Sequence, residues 1–529
     1  MEHRDYNYYE ANAASINMGD ITSSAMNANT LQRLRDGDVT LSHLNLGREG
    51  LSIHFYIGQG DDLGWVGYFI GKSECLRYLG VNFSGGHAFV EGIARNQSIR
   101  KIRIYDLNND GFTSMIRVLH SFSQLEVLTI EPSNNVDPDG WSELGTLLES
   151  GDCKLKELSL CGNNYIGNEG MGILSNGLRG IGSSLKVLDL SENSIGNEGV
   201  LAVVEALQSC TGLEILDLSL NDFSSAAVGL GSLSDWLQNS PVNLKNLSLE
   251  HCRISDEGLH ALAEGAATHC EELDLDRNES ITATGLRYLS SSIRSDSCRV
   301  ETLYLQGTIR DDGMEALGQG LVGNQSLTSL HLVDYDNGIT VTSAGWLAFT
   351  TALCDTSSVN STYLSNHTIH SIEDEVDGET IPRDISLYLR LNGEHPRYVA
   401  RCKILMKHPH LDMTPFLHLG LKYLPLTLAW FERAKPCTSL TIHDEELDER
   451  RLVLEESEDA FQSRELTAMY EFVRGIPMEV LKSRKELIVA AYDDNDEIAR
   501  IDERYREALE QRDRKIEQLE KEIKRLRGL

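Results

Sequence analysis

The sequence predicts an α/β solenoid, short parallel strands alternating with helices, and three observations predict it. A leucine pattern returns every 26 to 32 residues, an asparagine follows it at a fixed offset, and a helix-start signature follows the asparagine. The template is L-x-x-L-x-L-x-x-N-x-I. Its clearest copies are Leu155, Leu158, Leu160, Asn163, Ile166; Leu185, Leu188, Leu190, Asn193, Ile195; and Leu213, Leu216, Leu218, Asn221, Phe223. Later copies begin at Leu244, Cys270, Val300 and Leu327, with a worn one at Val359. Earlier copies begin at Leu125, Ile99 and Leu76, and Leu41 opens the series. The outer units are the degenerate ones, as terminal capping repeats usually are.

Each residue type has a physical task. The L-x-L pair sits at period 2, so both leucines point to one face of a strand and the residue between them to the other. The asparagine behind the strand can bond backbone groups that a sharp bend leaves unpaired, and stacking repeats this as a ladder. Next come Asn197-Glu-Gly199, Ser255-Asp-Glu-Gly258, Thr282-Ala-Thr-Gly285, Arg310-Asp-Asp-Gly313 and Thr342-Ser-Ala-Gly345, mostly capping residues with acids in the first turn. Leucines then recur at helical spacing, as at Leu259 and Leu262.

These residues resemble the ribonuclease-inhibitor class of leucine-rich repeats, which includes the repeat domains of NACHT-type receptors and Ran GTPase-activating proteins. The resemblance implies a horseshoe with the parallel sheet inside and the helices outside. It is strongest over residues 125 to 345. The segments GDDLGWVGYFIGKSECLRYLGV and LPLTLAWFERA also resemble uncharacterised leucine-rich-repeat proteins of algae.

Composition narrows the function. The 529 residues carry a net charge of -33, which repels nucleic acid and suits a basic protein partner. The first residues, MEHRDYNYYEANAASINMGDITSS, contain no apolar block and read as neither a signal nor a transit peptide. The most apolar later stretch, 416–431, is interrupted by His418, Lys422 and Pro425 and is too short to span a bilayer. The ten cysteines include no C-x-x-C pair, as expected of reduced thiols in a cytoplasmic protein. Seven N-x-S/T triplets, among them Asn366-His-Thr368, follow from a repeat rich in both residue types.

The organisation expected is a polar segment over 1–36, the solenoid over 37–370, a helical cap over 371–440, an acidic linker with short helices over 441–496, and a charged helix or coiled coil over 497–529. Leu509, Ile516, Leu519, Ile523 and Leu526 follow a heptad seam, with Lys515 and Glu522 at g and Glu520 and Arg527 at e. That seam reads either as a homodimer contact or as one face of a lone charged helix.

The candidate protein-binding residues are those the strands turn away from the helices: Glu157, Asp189, Glu192, Glu214, Asp217, Glu250, Asp274 and Asp276, with Tyr304 and His331. Glu271, Glu272, Glu301 and Asp334 add to the acid, against Lys156, Lys186, Lys245 and Arg277. Such a face favours a cationic partner, although exposed strands in this class are also generically charged. His408, His410, Asp412 and His418 match no familiar metal spacing and read as ordinary histidines around prolines, and no cofactor is expected. No P-loop, G-x-S-x-G or H-E-x-x-H motif occurs. The function expected is a non-enzymatic scaffold. The alternative, a Ran-type GTPase activator, follows from the shared repeat alone, and that family's functional arginine has no position in this chain that we can match.

Overall fold

The computed structural model describes residues 5–407 except 48–53, 59–60, 83–85, 106, 133–135, 151–152, 165, 308, 333–340, 374–380 and 395–398; it also describes 439–444, 447–453 and positions 514, 517, 518, 521 and 525. The chain divides into two compact units, Met1–Trp346 with Ser371–Thr380, and Leu347–His370 with Ile381–Leu529.

In the first unit, strands and helices alternate along the chain. Helices α1 (Tyr6–Asn12), α2 (Met18–Ile21) and α3 (Ala25–Arg35) lead to strands β1 (His43–Gly47) and β2 (Phe55–Tyr56). Then follow α4 (Leu63–Lys72), β3 (Tyr78–Val81), α5 (His87–Ile93), β4 (Lys101–Ile104), α6 (Asn109–Leu119), β5 (Val127–Ile130) and α7 (Pro138–Glu149). The central repeats are β6 (Glu157–Ser159), α8 (Gly167–Ile181), β7 (Val187–Asp189), α9 (Asn197–Leu207), β8 (Ile215–Asp217), α10 (Ala227–Asn239), β9 (Leu244–Ser248) and α11 (Asp256–His269). The series closes with β10 (Cys270–Asp274), α12 (Ala283–Ile293), β11 (Thr302–Tyr304), α13 (Asp311–Leu321), β12 (Ser329–His331), the start of α14 (Ser343–Leu353) and, after a long connection, β13 (Ser371–Glu373).

These strands form one sheet in which sequence neighbours are spatial neighbours, except that β2 lies outside β1 at one edge. Each pairing is parallel, and the repeat sets the register: Leu158, Leu188, Leu216, Leu247, Leu273, Leu303 and Leu330 align across β6 to β12. All seven are 0% exposed, so one aliphatic row runs through the interior, as the template requires. A one-residue slip in any strand would turn its leucines outward.

The chain departs from the expected repeats at both ends. Residues 5–35, expected only as a polar segment, fold as three helices because Asp5, Asn17 and Ser24 each cap one. Their apolar residues Tyr6, Tyr9, Ile21, Leu31 and Leu34 are buried. Tyr9 meets Trp65 edge-on with ring centroids 5.0 Å apart.

The worn copy expected at Val359 is not a strand. Ser358 accepts from the Ser361 N–H and starts helix α15 (Val359–Leu364) there. The last strand pairs Ile372 with Leu330, so the repeat resumes as Ile369-x-x-Ile372, a step of 42 residues from Leu327 (369 − 327).

The second unit also contains α16 (Arg383–Glu394) and α17 (Val399–Lys407), which fall within the segment expected as a helical cap. Beyond 440 a linker or exposed helix was the expectation, and an antiparallel pair appears instead, β14 (Ser439–Asp444) with β15 (Leu447–Val453). The alternation of Leu440 and Ile442 with polar neighbours suits a strand.

Candidate protein-binding surface

Three ladders hold the strand ends that present this surface. In the first, asparagines behind the strands are buried and bridge adjacent repeats. Asn163 Nδ2 donates to Ile130 O and Leu160 O, and Asn193 Nδ2 to Leu160 O and Ser191 O. Asn278 does the same to Leu249 O and Leu275 O. Where the template has Cys252, its thiol donates to Leu218 O at 3.2 Å and Glu250 O at 3.4 Å.

The second ladder joins helix starts. Asp256 accepts from Thr282 N and Oγ1, Asp311 from Thr342 N and Oγ1, and Asn168 from the N–H groups of Gly196 and Gly199. This explains the glycine of the helix-start signature, because a Cβ at Gly285 would lie 2.5 Å from Asp256 Oδ1 and one at Gly345 2.7 Å from Asp311 Oδ1. The third ladder lies before the strands, where the Asn96 and Asn324 side-chain oxygens accept from the N–H groups two and three residues on. Both belong to N-x-S/T triplets that the sequence reading treated as incidental, and both are buried.

With the ends fixed, the outward residues fall into rows. The row between the two leucines runs Ser159, Asp189, Asp217, Ser248, Asp274, Tyr304, His331 across β6 to β12. Beside it, just past the strands, stand Ser191, Ser219, Glu250, Asp276 and Gln306. Further round the bend, Glu192, Leu220, His251 and Arg277 occupy equivalent left-handed positions with φ between 53° and 57°.

The acids of these rows are not equivalent. Glu214 takes both Lys186, at 3.1 Å, and Lys245, at 2.7 Å. Hydrogen bonds from Lys245 and then Lys186 hold its carboxyl below the usual range. Glu250 has Arg277 at 3.9 Å. The aspartates of the central row are held instead by hydroxyls and amides. Asp189 accepts from Ser159 Oγ, Ser191 Oγ and Ser191 N. Asp217 accepts from Ser219 N, and Asp274 from Ser248 Oγ and Asp276 N. Asp276 accepts from Gln306 N at 2.6 Å.

Burial pushes the carboxyls of Asp217 and Asp274 up, and the nearby charges of Asp189 and Glu250 add to this for Asp217, those of Glu250 and Asp217 for Asp274. Asp276 is pushed to about 7, first by burial and then by Asp274. The rows therefore bring carboxyls together on a part of the sheet where they are only partly solvated.

Tyr304 and His331, adjacent in the same row, stack with ring centroids 4.2 Å apart and planes 18° apart. Glu157 and Glu192 are exposed at the margins, and Asp334 lies outside the described residues.

The Leucine Rich repeat family model matches residues 151–172, 183–204 and 241–263. The chain is 35% identical over 141 residues to the ribonuclease inhibitor of Sus scrofa, covering 26% of this chain and 30% of that one. It is 30% identical over 219 residues to the ribonuclease inhibitor of Mus musculus, covering 35% and 46% respectively. The first unit is thus a leucine-rich-repeat solenoid, and the chain is similar to ribonuclease inhibitors in these repeats. It is also 30% identical over 155 residues to NACHT, LRR and PYD domains-containing protein 12 of Mus musculus, covering 29% and 14%. The matches span less than half the length of each of these relatives.

Two groups named from the sequence cannot be placed on the leucine-rich-repeat solenoid. The seam residues Leu509, Ile516, Leu519, Ile523 and Leu526 lie outside the described residues, as do His408, His410, Asp412 and His418. Among the described residues no group of three metal-ligating side chains gathers, and no helix is long and apolar enough to cross a membrane.

Proposed function

We propose that this leucine-rich-repeat protein is a non-enzymatic scaffold that takes a basic protein segment on the outward face of its sheet. The observation that carries the reading is the row of aspartates at 189, 217 and 274, bonded to hydroxyl and amide donors while Lys186 and Lys245 engage Glu214 and Lys156 engages Glu126. Asp189 and Asp217 stand on adjacent strands and Asp274 two strands further on, past Ser248; with strands about 4.8 Å apart these carboxylates reinforce one another's field, and a cation relieves that repulsion. The similarity to two ribonuclease inhibitors makes a ribonuclease the first partner to try. The buried free thiols of Cys210, Cys252 and Cys270 suit a reducing compartment such as the cytoplasm.

The test is affinity capture with the full chain as bait, wild type beside the triple variant Asp189→Asn, Asp217→Asn, Asp274→Asn. Partners should be enriched in basic proteins and lost from the variant, with binding that weakens as salt rises. A partner set that is identical for both baits would sink the reading.

A further inference from the structure

We propose that the groove between helices α9 and α10 takes an aromatic side chain of a partner protein flanked by arginine or lysine. This site lies on the helices and stands or falls independently of the strand face.

The groove has a cause in the sequence. In α8, α11 and α13 the glycine of the helix start is followed seven residues later by a second one, Gly177, Gly265 and Gly320. Each lies against the backbone of the preceding helix, where a Cβ would stand 2.5 Å from Gly145 O, 2.5 Å from Ser234 O and 2.6 Å from Ser290 O respectively. Those pairs pack backbone to backbone. In α10 the start glycine is Gly229, where a Cβ would stand 3.1 Å from Asn197 O, so the two helices begin close together. Seven residues on is Trp236, whose indole Nε1 donates to Leu207 O of α9 at 3.1 Å. A ring therefore stands where the other pairs touch, and helix separation follows the side chain at the contact.

Beside that ring is an opening of about 540 Å³, within the size range of ligand sites. Val204 and Trp236 are buried and Leu201 half-buried, which makes its floor apolar. Its rim carries the exposed carboxylates of Glu205 on α9 and Asp235 on α10. Glu205 is paired with Arg179 of α8, and among the described residues that line the groove there is no lysine or arginine. An apolar floor under an acidic rim complements an aromatic ring carried between cations: the ring leaves water on the floor while its neighbours meet the carboxylates. An acidic segment would be repelled, and a wholly polar one would leave the floor uncovered. The groove is open to solvent, which suits a side chain presented by a partner's chain better than a small molecule that an enclosed pocket would bury.

The experiment labels the full chain with 5-fluorotryptophan and follows its five tryptophans by fluorine NMR, with the Trp236 line assigned from Trp236→Phe. The probes are three blocked tripeptides, Arg-Phe-Arg, Arg-Ala-Arg and Glu-Phe-Glu. Arg-Phe-Arg should shift the Trp236 line saturably, and the other two should leave it almost in place. Asp235→Asn should raise the half-saturating concentration of Arg-Phe-Arg about twofold to fivefold. Ser232→Phe, which fills the groove from α10, should abolish the response while the other tryptophan lines keep their positions. A Trp236 line that does not move with Arg-Phe-Arg, or that moves equally with all three peptides, overturns the site.

Discussion

The side-chain oxygen of Asn221 accepts the backbone N–H of Asn193, one repeat earlier, at 3.1 Å. It also accepts from Ile195 N, while its amide donates to Leu190 O and Leu218 O. One buried side chain thus satisfies backbone groups of two successive bends, and removing it strands several polar groups at once.

Asn221→Ala should therefore destabilise the solenoid by about 3–5 kcal/mol in urea unfolding. Cys252→Ala, at the equivalent place one repeat on, removes only one weak S–H donor shared between two carbonyls and should cost clearly less, about 1–2 kcal/mol. Equal losses for the two variants would show that the ladder is not what holds the bends.

This ladder was legible in the sequence because it depends on one residue type at one offset. The aliphatic rows were legible for a similar reason, since a strand must alternate. The Val359 copy misled because apolar spacing alone does not separate a strand from a short capped helix, and the deciding signal was Ser358. The acids were visible as a set, but which of them are paired depends on cross-strand neighbours: Glu214 meets two lysines that sequence spacing cannot bring to it. The closeness of Tyr304 and His331 likewise required the register, as 27 residues separate them (331 − 304).

The helix-start ladder calls for a double-variant test. Gly285→Ala places a methyl 2.5 Å from Asp256 Oδ1 and 3.2 Å from Asp256 Cα. It should cost about 1–3 kcal/mol from overpacking. Asp256→Ala alone should cost about 1 kcal/mol through the loss of the Thr282 bonds. Together they should cost less than the sum of the single changes, since the second removes the oxygen that the first collides with. Strict additivity in thermal or urea unfolding would contradict the contact.

Asp276 gives the stability of the sheet a pH dependence. Its folded carboxyl is raised to about 7, above an unfolded value near 3.9, so between those values the folded state binds the extra proton. The stability this group contributes is fully present below about pH 4 and is lost as pH rises through 7. Asp276→Asn, which keeps an oxygen for Gln306 N, should raise stability at pH 7.5 by about 1–2 kcal/mol and flatten the slope between pH 4 and 7. A variant whose unfolding midpoint follows the wild-type curve at every pH would refute this.

The second unit has a pH response of opposite sign, centred on Lys403. Its ammonium is fully buried and donates to Leu353 O at 2.7 Å and Asn366 O at 2.9 Å. His367 Nδ1 lies 3.4 Å away. The other ring nitrogen of His367 is 3.0 Å from Tyr363 O, and a carbonyl only accepts, so Nε2 carries the hydrogen and Nδ1 presents a lone pair to Lys403. Three acceptors therefore use all three ammonium donors. Cys354, Tyr388, Lys407, Asp355 and Asp384 are the other titratable groups of this cluster. Burial nonetheless lowers the Lys403 value to about 7, below an unfolded value near 10.4. Above pH 7 the unfolded state then holds the proton more firmly, and stability rises with pH until the unfolded lysine also titrates. Unfolding followed by urea between pH 7 and 9 should show wild type gaining about 1–3 kcal/mol relative to Lys403→Met, whose own curve lacks this contribution. Parallel curves over that window would mean that the lysine keeps its ordinary affinity for the proton, and that the three acceptors outweigh its burial.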